Sequence, residues 1–150
     1  MRRGALLVVL PLLAACSGGA GEAAKAVRAY DDALVRADAG NDASPLAGVA
    51  TAKEQARVQV LVDLKAAGKL VLESRVESFE VTSASSSGDA ATVETRERWR
   101  YHDRKLRPGE PPGPEFVADM KMRYGLVRED GRWKVASATT LANEFLEPKK

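Results

Sequence analysis

An α+β domain is what this sequence predicts: N-terminal helices packed on a curved antiparallel sheet of about four strands. Three observations carry the prediction. Apolar residues recur at helical spacing as far as Ala67, the period changes to two after Gly68, and polar turns separate the alternating stretches in the manner of a meander.

The first helix is expected over residues 23–37, AAKAVRAYDDALVRA, where Val27, Tyr30 and Leu34 share one face. DAGNDASP then breaks the pattern, and Ser44-Pro45 suits a new helix start. A second helical region runs from Pro45 to Ala67 with Leu46, Val49, Val58, Leu61, Val62 and Leu64 as its apolar positions. Gly68 is placed to end it, and a division near Thr51 is left open by the periodicity.

KLVLESRVESFEVT reads as the first strand. Leu70, Leu72 and Val76 have one parity and Phe79 and Val81 the other, which predicts a bulge between Val76 and Phe79. The serines and Gly88-Asp89 form a polar turn. In the second strand Ala91, Val93, Thr95, Glu97, Trp99 and Tyr101 share one face. The third alternates Phe116, Ala118, Met120, Met122, Tyr124 and Leu126 against polar neighbours. A tight turn at Asp130-Gly131 leads into the fourth, Trp133 to Leu141, with Leu126 set opposite Val135 and Tyr124 opposite Ser137.

Before the first helix the chain reads differently. Met1-Arg2-Arg3 is a short positive start, and GALLVVLPLL is the length of a signal-peptide apolar region, too short for a membrane span of ~20 residues. Leu13-Ala14-Ala15-Cys16 follows, and Cys16 is the chain's one cysteine. This segment resembles the lipobox of bacterial lipoproteins, where cleavage occurs before a cysteine carrying lipid on its sulfur. The resemblance implies a signal peptide at residues 1–15 and a lipidated Cys16 that holds the protein to a bilayer through two or more acyl chains, at ~0.8 kcal/mol per buried methylene. It also implies an exported protein of the cell envelope, and Ser17 after the cysteine favours the outer membrane where there are two. Residues 16–22 are expected to form a lipidated, flexible tether reaching about 20 Å at ~3.5 Å per residue, residues 23–145 the domain and residues 146–150 a tail.

Composition narrows function further. Loss of Arg2 and Arg3 takes the basic count from 23 to 21, against 21 acidic residues, so the mature chain is neutral and carries no signature of nucleic-acid binding. No cofactor or metal is expected: His102 is the single histidine, and by parity it points outward.

Two clusters bear on chemistry. On the apolar face, Thr95, Glu97, Trp99, Tyr101, Met120, Met122, Tyr124, Ser137 and Thr139 are expected to line a pocket. Glu97 is its one acid, either held by the hydroxyls of Tyr124, Ser137 or Thr139 or left with a raised pKa. On the opposite face Arg96, Arg98, Arg100, Lys121 and Arg123 form a basic surface. With Trp99 set near Met120, Arg98 neighbours Lys121 and Arg96 neighbours Arg123. That row is read either as a solvated face or as a contact for lipid phosphates or an acidic protein. DRKLRPGEPPGPE, with four prolines in thirteen residues, is a stiff excursion that either makes contacts or stands idle.

The segments AVRAYDDALVRAD, ETRERWRY and YGLVREDGRWKVASA together resemble the nuclear transport factor 2-like superfamily, whose cystatin-like domains are cone-shaped. That superfamily holds isomerases, dehydratases and cyclases as well as transport and assembly modules. Its enzymes place an acid or a His-Asp pair inside the cone, and this chain has Glu97 alone. The resemblance implies a non-enzymatic binding or assembly module with a small apolar ligand or an envelope protein as partner. The alternative it leaves is an isomerase- or dehydratase-like enzyme using Glu97 on a small apolar substrate. A structural envelope component, with a homodimer formed through the sheet, is the third reading.

Overall fold

The computed structural model describes residues 17–146. Residues 1–15, expected to be a signal peptide, Cys16 and the last four residues of the predicted tail lie outside the described residues. Two helices pack on one face of a four-stranded antiparallel sheet of order β1-β2-β3-β4, the α+β architecture the periodicity predicts.

Helix α1 spans Ser17–Gly40 and starts ahead of the predicted boundary. Residues 17–22 are therefore helical and not a flexible tether. Three glycines there oppose helix formation by ~1 kcal/mol each, but tertiary packing overrides propensity of that size. The contact is visible at Gly19, where a Cβ would sit 2.9 Å from Ser86 Oγ. Further along, Ala23, Val27, Tyr30, Ala33 and Ala37 are buried, and so is Asp31.

The helix ends where Asn41 takes a φ of 49° and donates its side-chain amide to the Leu70 carbonyl at 2.8 Å. A 3-10 turn, Ser44–Leu46, follows with Pro45 in its first turn. The division near Thr51 is real: Thr51 is the N-cap of α2, Ala52–Ala67, and its hydroxyl accepts from the Glu54 amide. Gly68 caps the far end, although Lys69, at φ 57°, is the residue that turns left-handed.

Strands β1 (Leu70–Ser87), β2 (Ala90–Lys105), β3 (Phe116–Glu129) and β4 (Arg132–Leu146) form the meander. The bulge expected in β1 falls between Val76 and Ser78, with a second between Val81 and Ser83. Ser83 and Ser85–Ser87 pair with β2 and belong to the strand, leaving Gly88-Asp89 as the turn. Asp130 and Gly131 both have positive φ, 50° and 74°, the geometry of a two-residue hairpin turn whose twist matches the strands. Leu126 pairs with Val135 as predicted.

Two register expectations fail. Tyr124 pairs with Ala138 and not Ser137, because an extra β4 residue enters between the Gly125 and Leu126 pairings. Ser137 then lies over Gly125, where a Cβ would come within 2.7 Å of its hydroxyl. A glycine inside a strand is the local signal for such a bulge. Between β2 and β3, Trp99 pairs with Ala118 and not Met120, a shift of two that keeps every face but changes every neighbour.

The core lies under α1, built from Val27, Tyr30, Leu46, Val58, Val62, Val93, Tyr124, Leu126 and Val135. Val49 and Thr51 exchange backbone hydrogen bonds with Val135 at 2.9 Å, closing that part of the β4 edge. Toward its C-terminal end β4 is exposed, and Phe145 is 61% accessible.

Candidate functional site

The inner faces of β2 and β3 meet α1 and α2 around a cavity of about 310 Å³. From the sheet come Glu97, Trp99, Tyr101, Met120, Met122 and Tyr124, all predicted for the pocket. Helix α1 contributes Tyr30, Leu34 and Asp38, which recur every fourth residue and so share one stripe. Arg57 of α2 and Leu72 and Ser74 of β1 complete the near wall.

Three predicted members are elsewhere. Ser137 and Thr139 are replaced by Ala138 and Thr140, because the β4 bulge reverses the parity from Ser137 to Thr140, where a second register shift follows. Thr95 is fully buried and does not line the cavity; its hydroxyl donates to Glu97 Oε1.

Glu97 is 3% exposed and accepts three hydrogen bonds. Besides Thr95, Trp99 Nε1 donates to Oε2 at 2.6 Å and the Tyr124 hydroxyl to Oε1 at 2.8 Å. Of the expected hydroxyl partners only Tyr124 is one. The same phenol oxygen is 3.1 Å from Asp31 Oδ1. A phenol has a single proton and cannot donate to both carboxyls. Burial pushes the Asp31 carboxyl up to about 8, with the charge of Glu97 adding to it. At neutral pH Asp31 therefore keeps its proton, which reverses the hydrogen bond: Asp31 donates to Tyr124, and Tyr124 donates to Glu97. Asp31 Oδ2 is buried without a partner among the described residues, a position far less costly for an acid than for an anion. Burial also drives the Tyr124 phenol far above its ordinary range, and both carboxylates push in the same direction.

A second buried carboxylate stands beside this relay. Glu54 is also 3% exposed and receives the Tyr30 hydroxyl at 2.6 Å and Arg57 through two nitrogens at 2.6 and 2.8 Å. The rings of Tyr30 and Tyr124 meet edge to face at 6.0 Å, so the two networks share an aromatic wall. Asp38 has neither arrangement. Burial pushes its carboxyl up to about 6, and Lys65, the cation that opposes the shift, is held by Asp103 at 2.6 Å.

Sequence reasoning missed Asp31, Asp38, Glu54 and Arg57. The signal was present: Asp31 lies four residues after Val27 and Glu54 four before Val58, so each carboxyl falls on an apolar stripe.

The basic face is neutralised. With the observed register Arg98 sits opposite Asp119 and binds it through two nitrogens at 2.6 and 2.8 Å, not beside Lys121. Arg96, expected beside Arg123, is opposite Lys121, and Arg123 pairs with Glu94 at 2.8 Å. Arg100 bridges Glu77 and Glu115. His102 faces outward as predicted, 2.9 Å from Glu73. The proline-rich segment is tied down by Gly113 donating to the Asp103 carbonyl at 2.8 Å and by a Lys105–Glu110 ion pair.

No family model and no curated protein matches this chain. Among solved structures it is similar to the intermembrane space region of the chloroplast protein ARC6, with a TM-score of 0.72 and 20% identity over 82% of this chain and 96% of that one. At that identity the likeness is one of fold.

Proposed function

We propose that this chain is an envelope lipoprotein, lipid-anchored through Cys16 and sorted to the outer membrane where two membranes exist, whose nuclear transport factor 2-like domain is a non-enzymatic binding module. The observation that carries the binding role is the state of the acids around the cavity. Glu97 accepts from Thr95, Trp99 and Tyr124, and the Tyr124 hydroxyl is shared with Asp31. A general base needs a free lone pair aimed at substrate, and this arrangement supports a structural role for Glu97 instead. What remains to meet a ligand is aromatic and thioether surface with the Asp38 carboxyl beside it, an apolar lining with few polar groups of the kind usual in small-molecule pockets. An envelope location is in keeping with the similar fold in an intermembrane space region. No helix among the described residues is long and apolar enough to cross a membrane.

The test has two arms. In a lipoprotein-processing host the protein should carry lipid mass on Cys16 and enter the detergent phase, and Cys16→Ser should abolish both. An environment-sensitive apolar fluorophore should bind the protein, and Met122→Trp, which fills the cavity, should displace it while Glu97→Gln leaves binding within about tenfold. Turnover of an apolar carbonyl substrate that falls ~10²–10⁴-fold in Glu97→Gln, with binding intact, would establish the enzyme instead.

A further inference from the structure

The cavity has a polarity that its list of residue types conceals. Three of the four aromatic side chains that line it are committed as donors to buried carboxylates. Tyr30 gives its proton to Glu54, and Trp99 and Tyr124 give theirs to Glu97. Donation to an anion leaves each of these rings richer in π-electrons. The one cation in the wall, Arg57, is turned onto Glu54 through two nitrogens, so its charge is already answered. Asp38 lines the same cavity from α1 and makes no ion pair among the described residues. Ser74 Oγ, on the wall contributed by β1, is buried and has no partner among the described residues.

An apolar alcohol would leave the charge of Asp38 unanswered, and an apolar carboxylate would add a further anion to a cavity already lined by Asp38 and Glu97. A cation completes it. We propose that the cavity binds a primary alkylammonium ion, with its aliphatic tail against Leu34, Met120 and Met122 and its ammonium at Asp38 and Ser74 beside the electron-rich rings. This rests on the reading of the domain as a binding module and names the ligand class. The ammonium has three donors for Asp38 and Ser74, and aromatic faces attract a cation that has shed its water.

The experiment is a calorimetric titration of the purified full chain with three probes of equal tail length: hexylamine, hexanol and hexanoate. At pH 7.5 the amine is charged, with a pKa of ~10.4 for an alkylamine, and Asp38 is ionised. Hexylammonium should bind about tenfold more tightly than hexanol, the return of one charge-assisted contact, and hexanoate should bind most weakly. Asp38→Asn should erase the preference of the amine over hexanol, whereas Asp38→Glu, which keeps the charge, should retain it. Hexanoate binding as tightly as hexylammonium overturns the proposal while leaving the cavity a binding site. So does an amine preference that survives Asp38→Asn. Binding of none of the three probes overturns this proposal and the binding-module reading together.

Discussion

Glu54 and Glu97 are equally buried, on two sides of one tyrosine pair, and the protein stabilises them by different means. Glu54 has a cation: Arg57 reaches it through two nitrogens from three residues away on the same helix. Glu97 has none, and is held by three neutral donors, one of which is itself held by a protonated Asp31. The difference follows from access. The Arg57 side chain is 49% exposed and keeps part of its hydration while its tip pairs. Glu97 lies on the inner face of β2 under α1, where an arginine head could not remain solvated. The comparison teaches that one small domain can compensate a buried carboxylate either by charge or by neutral donors.

The largest expected effect comes from Trp99→Ala, which opens a void and removes a donor from Glu97 together. It should cost about 3–5 kcal/mol in a denaturant titration, and a loss under about 1 kcal/mol would mean that the ring contributes little to either. Next, Arg57→Met strips the cation from Glu54. A loss of about 2–4 kcal/mol is expected at pH 8, less than the upper end for a fully buried pair because Arg57 is half exposed. A loss under about 1 kcal/mol would erase the distinction between the two sites.

Tyr124→Phe removes the hydroxyl between Asp31 and Glu97. About 1–3 kcal/mol should be lost, with Asp31 left as an unpartnered donor. The dependence on pH sharpens the comparison most. Asp31 has a folded pKa near 8 against ~3.9 unfolded, so between those values the unfolded chain has released a proton that the folded one retains. Stability contributed by this group is greatest below pH 4 and falls as pH rises to 8, by up to about 1.4 kcal/mol per unit. Asp38 acts in the same sense but only to about pH 6. From pH 6 to 8 the slope should therefore flatten in Asp31→Asn, measured by denaturant titration at each pH. A variant with the wild-type slope would show that Asp31 does not hold the proton.

The sequence by itself determined the elements and their faces. Helical spacing placed Tyr30 on the buried side of α1, and a period of two put Glu97, Trp99 and Tyr124 on one face of the sheet. Asp130-Gly131 fixed the last hairpin as far as Leu126 and Val135. These are local properties, each decided within a few residues by the direction in which successive side chains leave the backbone. For Cys16, outside the described residues, the sequence alone speaks. Only the tertiary structure decided what those faces meet. The β2–β3 register is set across a segment, residues 106–115, that no short turn constrains, and a shift of two left every face intact while giving Arg98 and Arg123 acidic partners and leaving Arg96 opposite Lys121. One extra residue in β4 exchanged Ser137 and Thr139 for Ala138 and Thr140 at the cavity. The partnership of Asp31 with Glu97 joins a helix to strands more than sixty residues further on, and its proton exists only because the folded chain removes both carboxyls from water.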